Sequence, residues 1–512
     1  MDRKKTKKIQ NARIIMTNIF MGLSVIAIVF ILMLIAMGFS FNENGNLEQS
    51  GLLQLSSHPS GATVEIDGET QFSRTEISKM LSSGEHKVKI TKSGYDTWET
   101  NVRVDAGLLT NISWVRLFPL NPVTEKMATY DQARLISFSS DRKSLLYSEQ
   151  NSTKLLFINL QGDSIKANKI NLSDILDITD TETLRTAAIS VAAWNTAGSK
   201  VLINWTHNNT TDWILADLEK PENSTNLTQK FNLVFSKILI ANDSASKLWA
   251  LENGNLRIID LSNITISTVK ASGVENFTNN NDVVAYLRTG AKNNKDGNQS
   301  TVRVLELFRE GEKGASTIAD LTAENPSTFT VALGAYWGEE WLSYSVNNKV
   351  TILSGKFPSY DKPSKNALKV SLKREIDYSP SHISSSNEER IVAYTAAGHI
   401  MAFDFETKDY YDISLDSESS PHWLDDYIFW QHEEDKVAIH DFNGQNYRDL
   451  ITDTNNELPI CLTANNKWLY YFDIKEQEQE QTTEEGTEET AVSSETETQK
   501  IQYILKREKL NI

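Results

Sequence analysis

Ile136–Ser148 reads ISFSSDRKSLLYS: an apolar and aromatic start, a short polar turn, then a strand rich in Leu and Tyr. The same unit returns along the chain. Its copies are VAAWNTAGSKVLINW from Val191, ILIANDSASKLWAL from Ile238, VENFTNNNDVVAYL from Val274 and LGAYWGEEWLSYS from Leu333. Three more are HISSSNEERIVAYT from His382, PHWLDDYIFWQ from Pro421 and ICLTANNKWLYYF from Ile460. Several are followed by a second strand ending in Asp: NLRIIDL from Asn255, HIMAFDF from His399 and KVAIHDF from Lys436, with Asn in its place in KLLFINL from Lys154.

The units stand roughly 40 to 60 residues apart, the period of blades that are each a four-stranded sheet. One such sheet cannot bury its two apolar faces alone, whereas a ring of them buries each face against the next. The copies resemble TolB-type and WD-like propeller repeats, with Ser139–Tyr147 the nearest in pattern. The Pro and Gly of the usual unit are missing there, and no Trp-Asp signature is present. The expectation for residues 120–512 is a seven- or eight-bladed β-propeller, with consecutive sandwiches as the competing all-β arrangement. Asn171 to Ala188 reads as a short helical insertion capped by Ser173-Asp174 or Thr179. Residues 475–500 hold nine Glu against two Lys, a composition that cannot bury a core. They interrupt KWLYYFDI and KIQYILKRE, and so read as a disordered acidic loop in the last hairpin.

At the other end, no charged residue occurs from Ile14 to Asn42. That run is long enough to cross a bilayer, which takes about 20 apolar residues. Arg3, Lys4, Lys5, Lys7, Lys8 and Arg13 precede it, and the next cation is Arg74. The expectation is a basic cytoplasmic tail (1–13), a transmembrane helix (14–41), a linker (42–50) and an extracytoplasmic remainder. Ala36-Met37-Gly38 has the spacing of a signal-peptidase site, but the apolar run exceeds a signal peptide's core, so a retained anchor is expected. About a dozen residues inside leave no room for a cytoplasmic signalling enzyme.

Residues 51–119 switch to period two. Leu53 and Leu55, Val64 and Ile66, Val88 and Ile90, and Val102 and Val104 alternate with polar residues, with turns at Pro59-Ser60-Gly61, Asp67-Gly68, Ser83-Gly84 and Gly94-Tyr95. Six or seven short strands imply a small β-sandwich. Pro59-Ser60-Gly61-Ala62, Val64–Gly68, His86–Ile90 and Lys92–Tyr95 resemble the PEGA domain family in order and spacing. Ser60 replaces the family's Glu, and Gln71–Thr75 replaces its Gly-x-Thr-Pro turn. The resemblance implies a surface-displayed, non-catalytic module.

The chemistry-bearing residues give no active site. Net charge is −17, which disfavours nucleic acid. Cys461, the one cysteine, sits in an apolar stretch and reads as a buried strand residue. His432-Glu433-Glu434-Asp435-Lys436 lacks the second His of a zinc-protease motif, His432 and His440 fall on separate strands, and His58 and His86 read as ordinary turn and strand residues. Glu339-Glu340 and Asp425-Asp426 fall in expected turns as solvated charge, and Asp453–Glu457 lacks a calcium-loop pattern. Trp194, Trp337 and Trp423 occupy equivalent repeat positions and are expected to pack between blades. Asn-x-Ser/Thr triplets such as Asn151 and Asn208 follow from composition.

No catalytic, cofactor or metal residues are therefore assigned. The expected function is a non-enzymatic, membrane-anchored extracytoplasmic binding or scaffold protein. Its propeller would meet a protein or cell-wall glycan, with the small module as a stalk. The alternatives are a hydrolase or lyase with its site in the propeller channel, which a convergence of carboxylates or His there would favour, and an envelope assembly factor.

Overall fold

The computed structural model describes residues 3–36, 38–41, 47–176, 180–293, 299–322, 327–361, 367–452, 454, 457–476 and 501–510. The chain divides into two units, Met1–Pro122 and Val123–Leu510. Most of the acidic loop, residues 477–500, lies outside the described residues, as do Asp453, Asn455 and Asn456.

The first unit opens with helix α1, Arg3–Ala36. Its apolar side chains from Ile14 to Ile35 are uncovered by protein. Thr17 Oγ1 donates to Arg13 O at 2.8 Å and Ser24 Oγ to Phe20 O at 2.9 Å, so these hydroxyls are satisfied within the helix. The helix stops short of the Phe41 expected from the sequence. Gly38, at φ +79°, turns the chain back with its N–H on Ile35 O, and Phe39–Phe41 becomes a strand paired with Leu47–Gln49.

The β-sandwich that follows has two sheets. One orders Ile77–Leu81, Gly51–His58 and Leu109–Arg116; the other orders Glu69–Thr70, Thr63–Ile66, Gly84–Thr91 and Thr97–Val104. Leu53, Leu55, Val64, Ile66, Val88 and Ile90 are buried in alternation, and Trp98 meets Trp114 edge-on with ring centres 5.4 Å apart. Asp67 and Gly68 both take positive φ, as a two-residue hairpin turn of this hand requires. The atypical Gln71–Thr75 loop is pinned by Thr75: its hydroxyl meets Ser57 Oγ at 2.7 Å and accepts from Ala62 N at 2.9 Å.

The second unit contains eight antiparallel sheets among the described residues, each built from consecutive strands except the last. It is a β-propeller of eight blades. Blades 1 to 7 begin at Ala133, Ala188, Lys237, Val274, Phe329, His382 and His422. Blade 8 joins Cys461–Leu462, Trp468–Glu476 and Ile501–Lys509 to Val123–Asp131 from the other end of the unit, with Val123 opposite Lys509 and Asp131 near Tyr503 and Gln502. This shared blade closes the ring by pairing strands from the two ends of the unit. Apolar clusters lie between successive blades, for example Leu146, Leu155, Ile203 and Trp205 between blades 1 and 2, and Leu145, Tyr147, Tyr470 and Phe472 between blades 8 and 1.

All eight quoted repeats are the first hairpin of a blade. In six of them the polar residue ending the first strand caps the turn. Ser139, Asn195, Asn242, Ser386, Asp425 and Thr463 each accept a hydrogen bond from the N–H that opens the second strand. Blades 4 and 5 use tighter turns through Asn281 and through Trp337-Gly338, where positive φ replaces the cap. The Asp or Asn ending the third strand also has a turn role: Asn159, Asp260 and Asp404 accept from the N–H two residues on. The helical insertion is smaller than expected, two short helices at Leu172–Ile175 and Thr181–Thr186, the second capped by Asp180 rather than Thr179. Residues 177–179 of that stretch lie outside the described residues.

Candidate functional site

Blades 7 and 8 have two-residue first strands, His422–Trp423 and Cys461–Leu462. The next strand of blade 7, Ile428–Glu433, is longer than its inner partner. His422, the half-buried His432 and the largely buried Trp430 line a cavity of about 330 Å³, bounded also by Ser137 and Phe138 of blade 1 and by Glu457, Pro459 and Ile460 before blade 8. His422 pairs directly with Trp430, ring centres 4.9 Å apart, and His432 meets Trp430 edge-on at 5.2 Å. Residues two apart on a strand share a face, so His422, Trp430 and His432 form one wall. Where inner strand is lacking, Ser417 Oγ donates to His432 O at 2.7 Å.

Two imidazoles and an indole make up this wall, and the Glu457 carboxylate lines the same cavity. Burial pulls the His422 imidazole below its ordinary range, and the nearby His432 and His382 push it lower still. Burial likewise lowers His382 and His432. His432 Nε2 meets Leu458 O at 3.0 Å, which makes Nε2 the protonated nitrogen and leaves Nδ1 as acceptor. No hydrogen bond joins these three imidazoles to a hydroxyl or thiol group among the described residues. The Ser137 hydroxyl, which also lines the cavity, accepts from Trp194 Nε1 at 2.9 Å. Such a surface offers a small ligand the imidazole of His422, hydrogen bonds from the histidines and the carboxylate of Glu457.

The other sequence candidates are dispersed. His432 and His440 lie on opposite faces of their sheet, because His440 pairs with Phe429, three residues from His432. Among the described residues no three His, Cys, Asp or Glu side chains converge as a metal site. Glu339 and Glu340 open a strand instead of sitting in a turn, and Glu339 meets Ser354 of its own blade and Lys408 of blade 6. Asp425 is buried, capping the turn with Tyr427 N and Ile428 N, where solvated charge was expected. Trp194 and Trp423 do pack between blades, donating to Ser137 and Ser384 of the preceding blade. Trp337 does not: it sits at a hairpin turn, 92% exposed. Cys461 is buried, its thiol pushed up to about 12 by burial. His86 is not a free ligand, since Nδ1 meets Asp67 Oδ2 at 2.6 Å and Nε2 meets Ser82 O at 2.8 Å. The pairing of His422, Trp430 and His432 was missed in the sequence. The one available signal was the period-two spacing of Trp430 and His432 in PHWLDDYIFWQH.

With strand order, turn positions and the Trp98–Trp114 core in place, the first β unit can be compared with known families. Residues 50–116 match the PEGA domain. The PEGA domain thus covers the sandwich and leaves α1 and the propeller outside the match. No curated protein matches the chain. Among solved structures, dipeptidyl peptidase 4 of Porphyromonas gingivalis is similar at 10% identity and a TM-score of 0.44, over 67% of this chain and 57% of that one. The tricorn protease gives 9% and 0.37, over 76% and 42%. AztD from Citrobacter koseri gives 9% and 0.38, over 72% and 93%.

Proposed function

We propose that this chain is a membrane-anchored, extracytoplasmic binding or scaffold protein, with α1 as the anchor, its N-terminus cytoplasmic, and the propeller presenting its cavity to a protein or cell-wall glycan. One observation carries the reading: His422, Trp430, His432 and Glu457 line one cavity, and among the described residues no imidazole there is hydrogen-bonded to a hydroxyl or thiol that could act as nucleophile. A volume of about 330 Å³ suits one sugar ring or one aromatic side chain.

The test is capture from solubilised membranes with the full-length chain and its Trp430→Ala variant as baits. A stoichiometric partner held by the first and lost by the second supports the reading. The second reading, a hydrolase or lyase, draws on His422, His432 and Glu457 in one cavity lining, with His382 close enough to act on His422. Turnover of wall glycan or peptide by the purified chain, abolished in His432→Ala, would establish it and overturn the first.

A further inference from the structure

The start of the PEGA domain carries an apolar row that its own core does not use. Leu52 pairs with Met80 on one side and with Leu109 on the other, so the three side chains share the outer face of the sheet. Met80 is 48% exposed, Leu109 57% and the adjacent Leu108 61%. The next row outward on that face is Gln54, Ser78 and Asn111, all polar. Single exposed leucines are ordinary, but a contiguous row that gives way to polar residues in one step is not.

The row lies beside the exit of α1. Gly38 N donates to Ile35 O at 3.0 Å and Ser50 N to Gly38 O at 2.8 Å. A Cβ on Gly38 would stand 3.3 Å from the Met80 methyl, and Leu52 N donates to Leu108 O at 2.9 Å. Ile35 ends the apolar span. Beyond the hydrocarbon a headgroup layer extends about 5–7 Å on each side. The polar row is two residues further along the strand, roughly 7 Å. With the strand running along the bilayer normal from the level of Ile35, the change from apolar to polar would fall where the headgroup layer gives way to water. Lys79, Glu48 and the Arg103–Asp105 pair flank the row and are exposed, as groups at headgroup depth would be.

We propose that Leu52, Met80, Leu108 and Leu109 rest in the interfacial layer of the bilayer that α1 spans, so that the PEGA domain lies against the membrane instead of swinging free on its tether. This depends on α1 being a retained anchor. The occupant is the lipid surface itself, because the row is continuous with the spanning helix.

The full-length chain, reconstituted in phosphatidylcholine–phosphatidylglycerol vesicles, tests this with a bimane label at Leu108→Cys. Cys461 is buried and stays unlabelled. Ser93→Cys is the control at the far end of the sandwich, where Lys92 Nζ reaches Ser60 O, about 25 Å along an eight-residue strand. Leu32→Cys reports the anchor. Shallow doxyl-labelled lipid is expected to quench the label at 108 and leave that at 93 unchanged. Quenching at 32 but none at 108 overturns the docking while leaving the anchor intact. Release of the chain from the vesicles overturns both. Self-quenching at 108 that rises with the protein-to-lipid ratio, without lipid quenching, gives the row to a second copy and also overturns the proposal.

Discussion

At the scale of single residues, polar side chains in this protein mainly complete turns and ion pairs. His86 and Asp67 give a pH signature. Burial pulls the His86 imidazole down, but its hydrogen bonds to Asp67 and Ser82 outweigh this and hold its pKa above the ordinary 6.5. Burial likewise raises the Asp67 carboxyl, while bonds to His86 and Lys87 N bring it below the ordinary 3.8. The histidine's contribution is whole below pH 6.5 and fades as pH rises through its raised value. The carboxylate's contribution is whole above pH 3.8 and fades as pH falls through its lowered value. The pair is therefore strongest between these limits. His86→Gln should lower stability there by about 1 kcal/mol or less, since Asp67 is half exposed and screened, and by less at pH 9; denaturant melts across pH check this. Arg390 is a stronger case. Its guanidinium is 6% exposed, paired with Asp404 at 3.0 and 2.7 Å and with Glu406 at 2.6 Å. Arg390→Met leaves Asp404 buried without its cation and should cost about 3–5 kcal/mol, read as a lower denaturation midpoint.

At the scale of elements, each blade is legible because its first hairpin repeats a chemistry. The capping residue, the apolar second strand and the Asp ending the third strand are local features that the sequence displays directly. The contacts between blades are not local. Gly334 is an example: a Cβ there would stand 2.1 Å from the ring of Trp341, which is stacked on Phe405 of blade 6 and donates to Glu389 O at 3.1 Å. Gly334→Ala should displace that ring and cost about 1–3 kcal/mol, with a near-ultraviolet circular dichroism change from Trp341 as the check. Nothing in LGAYWGEEW marks Gly334 as constrained, because the constraint comes from the strand opposite. The candidate wall follows the same logic. His422 and Trp430 are eight positions apart and become neighbours by hairpin register, while Phe138 and Ile460 arrive from blades at opposite ends of the unit.

At the scale of the whole molecule, the closing blade decides whether the ring is a single cooperative body. Its outer strand, Val123–Asp131, pairs along its length with Ile501–Lys509, and Arg507 links Glu125 at 2.7 Å to the ring of Trp468. Removing residues 501–512 should leave Val123–Asp131 without a partner, expose the edge of Trp468–Glu476, and replace one sharp unfolding transition by a broad, aggregation-prone one in calorimetry. The sequence by itself determined the apolar N-terminal helix, the PEGA-type sandwich, the blade repeats and the burial of Cys461, because each depends on periodicity or turn chemistry within some tens of residues. It did not reveal where α1 stops, that Asp425 caps a buried turn, that Trp337 faces solvent, or which histidines share a wall. Those depended on pairing register and on how blades distant in the chain meet, and only the folded ring brings such residues within hydrogen-bond or ring-stacking distance.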